Sequence, residues 1–220
     1  MPDMPVPPPQ TREEDCLPQD PRPRRAEETR ERIIKAAFKA FSESGFEGAS
    51  TRQIAALAGE NQGLITYHFA TKENLWKEAV DSSFLPFAQE IAELVSSIAG
   101  QDTRTRLRTL LMQLVRLAAE RPGQMRLMVR EGNADSPRIK WLIERHIKGP
   151  FEMANAILRE AIEEGILPPA PHVHYFYMIV GATSLFFTAA PEVKYLTGAD
   201  TTDPVVIEAH AEAVVNLFLR

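Results

Sequence analysis

The sequence predicts an all-α fold, with a small helix-turn-helix domain near the N-terminus and a larger helical region behind it. Three observations carry this. Apolar residues recur at spacings of three and four along most of the chain. No segment alternates apolar and polar residues for long enough to form a half-buried strand. Helix start and stop signals punctuate the sequence, among them Ser50-Thr-Arg-Gln53, Ser136-Pro137, Asp203-Pro204, Gly45 and Gly59.

The chain has 220 residues, 44% of them hydrophobic, which is enough for a sizeable core. Net charge is −5, but it is unevenly spread. Residues 22–80 hold ten Lys and Arg against eight Asp and Glu, a net of +2, while residues 1–21 carry −4 and residues 81–220 carry −3. A near-neutral segment can still bind nucleic acid when its cations share one face, so total charge neither supports nor excludes that function. The single cysteine, Cys16, cannot form an internal disulfide, which fits a reducing compartment. No apolar stretch at the N-terminus resembles a signal peptide. The longest apolar run, Tyr175 to Ala190, is interrupted by Thr183, Ser184 and Thr188 and falls short of the roughly 20 residues a bilayer requires. The expected location is cytoplasmic, with no membrane contact.

Residues 1–26 are rich in proline and charge and poor in aliphatics, so a disordered tail is expected there. Arg22-Pro-Arg-Arg25 can be read as a minor-groove arm or as part of a solvated tail; the composition favours the tail. The first helix is expected from about Thr29 to Ser44, with Ile34, Ala37, Phe38 and Phe41 on one face and Gly45 ending it. Ser50 then caps a second helix whose Ile54, Leu57 and Ala58 point inward, and Gly59 closes it. Asn61 caps a third, Gln62 to about His68. Thr71 caps a longer one running to about Ala99, with a break or kink at Pro86.

Further helices are expected from Asp102 or Thr103 to Glu120, from Pro122, and from Ser136-Pro137 to Gly165 with a kink at Gly149-Pro150. Pro171 opens an apolar helix ending near Ala190, and Asp203-Pro204 opens the last, to Arg220. The organisation expected is a tail over 1–26, a helix-turn-helix domain over 27–74 and a second domain over 75–220.

Residues Ser50 to Phe69 carry the functional signal. Gly59 tolerates the backbone angles a tight inter-helix turn requires, and the small Ala55 and Ala58 let two helices approach closely. At about 100° per residue, Leu64, Ile65 and His68 fall on one side of the third helix, and Gln62, Gly63, Thr66 and Tyr67 on the other. The apolar side anchors the helix. The opposite side offers an amide, a bare backbone, a hydroxyl and a phenol. Gln62 can pair with an adenine edge, Gly63 lets the backbone come close to a duplex, and Thr66 can bond a base or touch a thymine methyl. Tyr67, His68, Lys72 and Thr51 can reach phosphates.

The strings Thr51-Arg-Gln-Ile-Ala55, Ala58-Gly59, Gly63-Leu-Ile-Thr-Tyr-His-Phe69 and Thr71-Lys-Glu-Asn-Leu75 closely resemble the TetR family of bacterial transcription regulators. The close match covers roughly residues 28–76, and the string at 67–75 is its most specific part. The resemblance implies a homodimer with a three-helix DNA-binding domain and a larger regulatory domain, where a small-molecule effector changes the spacing of two recognition helices. It places Asn61, Gln62, Gly63, Thr66, Tyr67, His68 and Lys72 at DNA-contacting positions, and Thr51 and Arg52 complete the candidate DNA-binding set. It implies a sequence-specific regulator of double-stranded DNA, a repressor released by its effector, with an activator or a protein-responsive regulator as the alternative. Glu60 departs from the family pattern; an acid there either weakens phosphate attraction or pairs with a nearby cation. Gln62 stands where many members carry a basic residue, so the operator sequence does not follow from the resemblance.

In the regulatory half, Phe176, Met178, Ile179, Val180, Leu185, Phe186 and Phe187 make a helix that is apolar nearly all round and must be covered on most sides. A monomer core could cover it; the resemblance favours packing of the last two helices against their dimer mates. Leu111, Val115, Met128, Trp141, Phe151 and Tyr177 are candidates for an effector pocket, mixing Met and aromatic side chains as adaptable apolar sites do. The implied effector is mostly apolar or aromatic. His172-Val-His174 lacks a third ligand nearby in sequence, so no metal is expected, and no cofactor is implied. The chain shows no Gly-rich phosphate loop, nucleophile signature or metal spacing, which leaves an enzymatic reading without support.

Overall fold

The computed structural model describes residues 21–219, with side chains from Arg24 onward. Within them lie eleven α-helices and one π-helical segment, and no strand. The expected disorder of residues 1–20, and Cys16 with it, lie outside the described residues.

The first helix, α1 (Pro21–Gly48), begins eight residues before the expected Thr29, so residues 21–26 are helical rather than part of a tail. Pro21 and Pro23 fall in the first turn, where a missing N–H costs nothing. Arg24 then pairs with Glu28 at 3.4 Å, and Glu27 with Arg30 at 3.7 Å, one turn apart along the helix. The regular helix breaks at Gly45 (φ 73, ψ 173), as its position predicts. Next come α2 (Thr51–Ala58), α3 (Gln62–Phe69) and α4 (Lys72–Ser97). Helix α4 runs to within two residues of the expected Ala99 and continues through Pro86 without a break. Buried Gln124 donates to the Ser83 carbonyl at 2.8 Å, bracing the stretch where proline thins the hydrogen-bond ladder.

Helix α5 (Thr103–Glu120) is capped by Asp102, and α6 (Pro122–Gly132) follows. Ser136 caps α7 (Pro137–Leu142). The chain then widens into a π-helical turn, Ile143–Ile147, before α8 (Lys148–Glu163). The irregularity expected at Gly149-Pro150 therefore sits just upstream of it. In a regular α-helix the Pro150 ring would meet the carbonyl of His146, and a wider turn there relieves the clash.

Helix α9 (His172–Thr188) bends by 71° into α10 (Ala190–Thr197), which the sequence reading lacked. Pro191 at its first turn and the left-handed Gly198 after its last are the signals that mark it. Asp203 caps α11 (Pro204–Phe218). No single helix among the described residues is long and apolar enough to cross a membrane.

Two main cores hold the molecule together. The first joins α1–α4 through Ile33, Phe41, Ile54, Ile65, Phe69 and Trp76, and it does not stop at residue 74: Val80 and Phe84 of α4, Leu127 of α6 and Leu142 of α7 belong to it. The second joins α5, α8, α9 and α11 around Leu111, Val115, Leu158, Ile179, Phe187 and Val214. On its outer edge Arg116 and Arg108 of α5 reach Glu208 and Glu212 of α11 at 2.7 and 2.9 Å. The Arg116 hydrogen bond holds the Glu208 carboxyl below its ordinary range.

Candidate nucleic-acid interface

The geometry of α2 and α3 is set by side chains that satisfy helix ends. Ser50 Oγ accepts from the Gln53 N–H at 3.1 Å, and Asn61 Oδ1 from the Gly63 N–H at 2.8 Å. Thr71 Oγ1 accepts from the Asn74 N–H at 3.1 Å. Gly59 takes the left-handed conformation (φ 69, ψ 29) and its N–H closes α2 onto the Ala55 and Ala56 carbonyls. Three residues, Gly59 to Asn61, thus separate the two helices of the motif.

Ile65 and Phe69 anchor α3 in the core, with Leu64 and His68 half-buried beside them. Phe69, rather than His68, is the second main anchor, because α3 runs one residue longer than expected. On α2 the buried pair is Ile54 and Ala55; Leu57 is 49% exposed, contrary to its expected inward position. Ala55 takes the close approach, and a leucine at 57 lies off that narrow contact.

Gln62, Gly63, Thr66 and Tyr67 all face outward, Tyr67 with 79% of its surface exposed. Gln62 Nε2 donates to Thr51 Oγ1 at 3.1 Å, tying the N-terminus of α3 to that of α2. The Gln62 carbonyl oxygen is not used in that bond. Tyr67 packs edge-on against His68, ring centroids 5.0 Å apart. Arg52, Asn61 and Thr71 are exposed as well. A Cβ at Gly63 would stand 3.3 Å from Asn61 Oδ1, so this glycine also keeps the α3 cap uncrowded.

Charges around the motif are paired in a way local sequence does not show. Glu60 pairs with Arg32 of α1, which resolves its two readings in favour of the nearby cation. Lys72 Nζ rests 4.5 Å from the Phe46 ring centroid, and Arg138 of α7 lies 4.1 Å from the same centroid. Arg138 also bonds Glu131 at 3.2 Å. Sequence reasoning missed Phe46 and Arg138 as neighbours of the motif, since residue 138 lies far along the chain. It also missed Ala70, which among the described non-glycine residues alone has positive φ (60°). That residue joins α3 to α4, and its N–H bonds the Thr66 carbonyl at 3.0 Å.

The six pocket candidates do not meet in one cavity. Leu111 and Val115 are fully buried in the second core. Met128 and Trp141 pack against the first. Phe151 stands edge-on to Phe176 at 4.8 Å, and Tyr177 is 68% exposed. Of the six, Trp141 borders an open depression of about 660 Å³, with Lys140, Glu144 and Arg145.

Residues 33–79 match the description "Bacterial regulatory proteins, tetR family", and residues 88–220 match "YcdC-like protein, C-terminal region". The chain belongs to the TetR family. Its relatives include the HTH-type transcriptional regulator RutR of Escherichia coli strain K12, 26% identical over 86% of this chain and 87% of that one. The HTH-type transcriptional repressor NicS of Pseudomonas putida is 38% identical over 39% of this chain and 40% of its own. Among solved structures, HlyIIR, a hemolysin II transcriptional regulator, is 25% identical, covers 89% of this chain and 99% of its own, and superposes with a TM-score of 0.68. As a TetR-family member this chain is a DNA-binding transcriptional regulator.

Proposed function

We propose that the chain acts as a homodimeric repressor that binds a near-palindromic operator and is released by a small, mostly apolar or aromatic effector. The observation that carries this is the outward face of α3. Gln62, Gly63, Thr66 and Tyr67 are exposed on a short helix whose other face is locked into the core. With Thr51, Arg52, Asn61, His68 and Lys72 they form the DNA-contacting set: Gln62 and Thr66 read base edges, and the others position the motif on phosphates. Lys72 leaves the Phe46 ring to reach a phosphate, giving up a cation–π contact worth about 0.5–1 kcal/mol.

Dimerisation is supported by the apolar stripes of α9 and α11. Val173, Tyr177, Gly181 and Leu185 repeat every four residues on α9, all exposed. Val205, Ala209, Ala213 and Leu217 repeat likewise on α11. Such contiguous exposed stripes mark an interaction surface, and Gly181, Ala209 and Ala213 permit close helix approach. Two-fold symmetry then sets two recognition helices about 34–36 Å apart, one turn of the duplex, or a multiple of that. The effector enters the second core between α5, α8 and α9, near Leu111, Val115 and the Phe151–Phe176 pair, and opens that packing.

The test is retention of genomic DNA fragments by the purified full-length chain at moderate salt. Specific fragments, recovered repeatedly and lost with Tyr67→Ala, are expected. Recovery of no specific fragment contradicts DNA-directed regulation.

A further inference from the structure

We propose that Asp81, Arg145 and His146 form a clamp that sets the tilt of α4, and through it the separation of the two recognition helices on DNA. The proposal rests on the dimeric DNA-binding reading above and adds positioning residues to it, none of which touches DNA.

The clamp crosses from α4 to the π-helical turn. Asp81 of α4 receives both arms of the Arg145 guanidinium, Nε to Oδ1 at 2.7 Å and Nη2 to Oδ2 at 2.9 Å. The same Oδ1 takes the His146 Nε2 hydrogen at 2.8 Å. Arg145 and His146 are adjacent in sequence, and in a regular helix their side chains would point about 100° apart. Here the backbone is widened over Ile143–Ile147, and both side chains serve one carboxylate. The widened turn that Pro150 favours is thus also what brings the two side chains onto one carboxylate.

His146 argues that the clamp serves direction more than stability. Its side chain has no exposed surface and lies between Phe84 of α4 and Trp141 of α7, ring centroids 5.5 and 5.4 Å away. With Nε2 donating to Asp81, Nδ1 is a buried acceptor, and it has no partner among the described residues. A buried polar atom left unpaired costs free energy that an apolar side chain of similar size would not. What the imidazole adds is an oriented hydrogen bond to α4. Around it, Lys77 of α4 and Arg145 both lie over the Trp141 ring, at 6.0 and 5.7 Å, while Glu144 pairs with Lys148.

Helix α4 is well placed to transmit a tilt. It starts at Lys72, directly after its cap Thr71, and only Ala70 and Thr71 separate it from α3. From Asp81 back to Lys72 is about 13 Å at 1.5 Å per residue, so a tilt of about 10° moves the end of α3 by about 2 Å. In a two-fold dimer the two shifts combine, against a groove spacing of about 34 Å.

The experiment uses the full-length chain and duplexes that the wild type selects from a random library. Affinity is measured for the selected site and for versions with the half-sites moved one base pair closer or farther apart, and guanidinium unfolding midpoints are measured alongside. For His146→Leu we expect about a tenfold loss of affinity at the selected spacing, within the range of couplings between distant sites. We also expect weakened discrimination between spacings and an unfolding midpoint unchanged or raised. His146→Gln, whose amide N–H can replace the imidazole donor, keeps wild-type affinity and spacing discrimination. Unaltered spacing discrimination in His146→Leu overturns the proposal. So does a fall of affinity and midpoint together that His146→Gln does not rescue. A wild-type chain that selects no duplex contradicts the DNA-binding reading instead, and that result precedes any variant.

Discussion

Helices α3 and α9 both present an exposed face, and the faces differ in kind. On α3 the outward groups are Gln62, Gly63, Thr66 and Tyr67, while its apolar residues Ile65 and Phe69 are spent on the core. On α9 the core takes Tyr175, Ile179 and Phe187, and apolar side chains are still left outside: Val173, Tyr177, Met178 and Leu185. The first face is complete in one chain and suits a polar partner. The second remains unfinished until another apolar surface covers it. The contrast is what the proposed division of labour requires, DNA on the polar face of α3 and a second copy on the apolar face of α9.

Breaking the second face should have the larger effect. Leu185→Asp buries a charge in the proposed interface. The dimer should dissociate into monomers in sedimentation at micromolar concentration, and operator affinity should fall by at least about a hundredfold, as the two half-sites no longer bind together. A dimer of unchanged strength would show that α9 is not its surface. On the first face, Tyr67→Ala and Lys72→Ala should each weaken binding by about tenfold. Lys72→Ala should also flatten the log–log salt dependence by about one unit per half-site, because one phosphate contact is lost. An unaltered slope removes Lys72 from the contact set.

Much of the first region was legible because its signals are local. Ser50, Asn61 and Thr71 are cap residues by type, Gly59 is a turn residue by type, and each satisfies groups within three or four positions of itself. The errors arise where distant chain decides. Leu57 reads as core on periodicity, yet the narrow α2 contact accepts only Ile54 and Ala55. Arg138 reaches Phe46 from the other half of the chain, and His146 reaches Asp81 across sixty-five positions. No short-range pattern announces either. The pocket candidates failed to converge for the same reason, since composition selects apolar residues without saying which core each one joins. Helix α10 is different: Pro191 and Gly198 bracket it locally, and that pair of signals was available.

Burial holds the His146 imidazole below its ordinary range, assisted by Arg145 and opposed by Asp81. Protonation is therefore harder in the folded chain than in the unfolded one. The stability tied to this group is present above the ordinary histidine value of about 6.5 and is lost as pH falls through the lower folded value. The unfolding midpoint of wild type should drop more steeply on acidification below that point than that of His146→Gln. Equal slopes would mean that His146 does not titrate in this window. Last, Ser50→Ala removes one α2 cap and should cost about 1 kcal/mol in urea unfolding. No loss would mean that the Gln53 N–H finds another partner.

In the proposed assembly two copies of this chain present two α3 helices to one duplex. Footprinting on a selected operator tests it directly. Protection of two half-sites related by a near-palindrome is expected, with centres about 34–36 Å apart or a multiple of that. Protection of one isolated half-site by a monomer would contradict it.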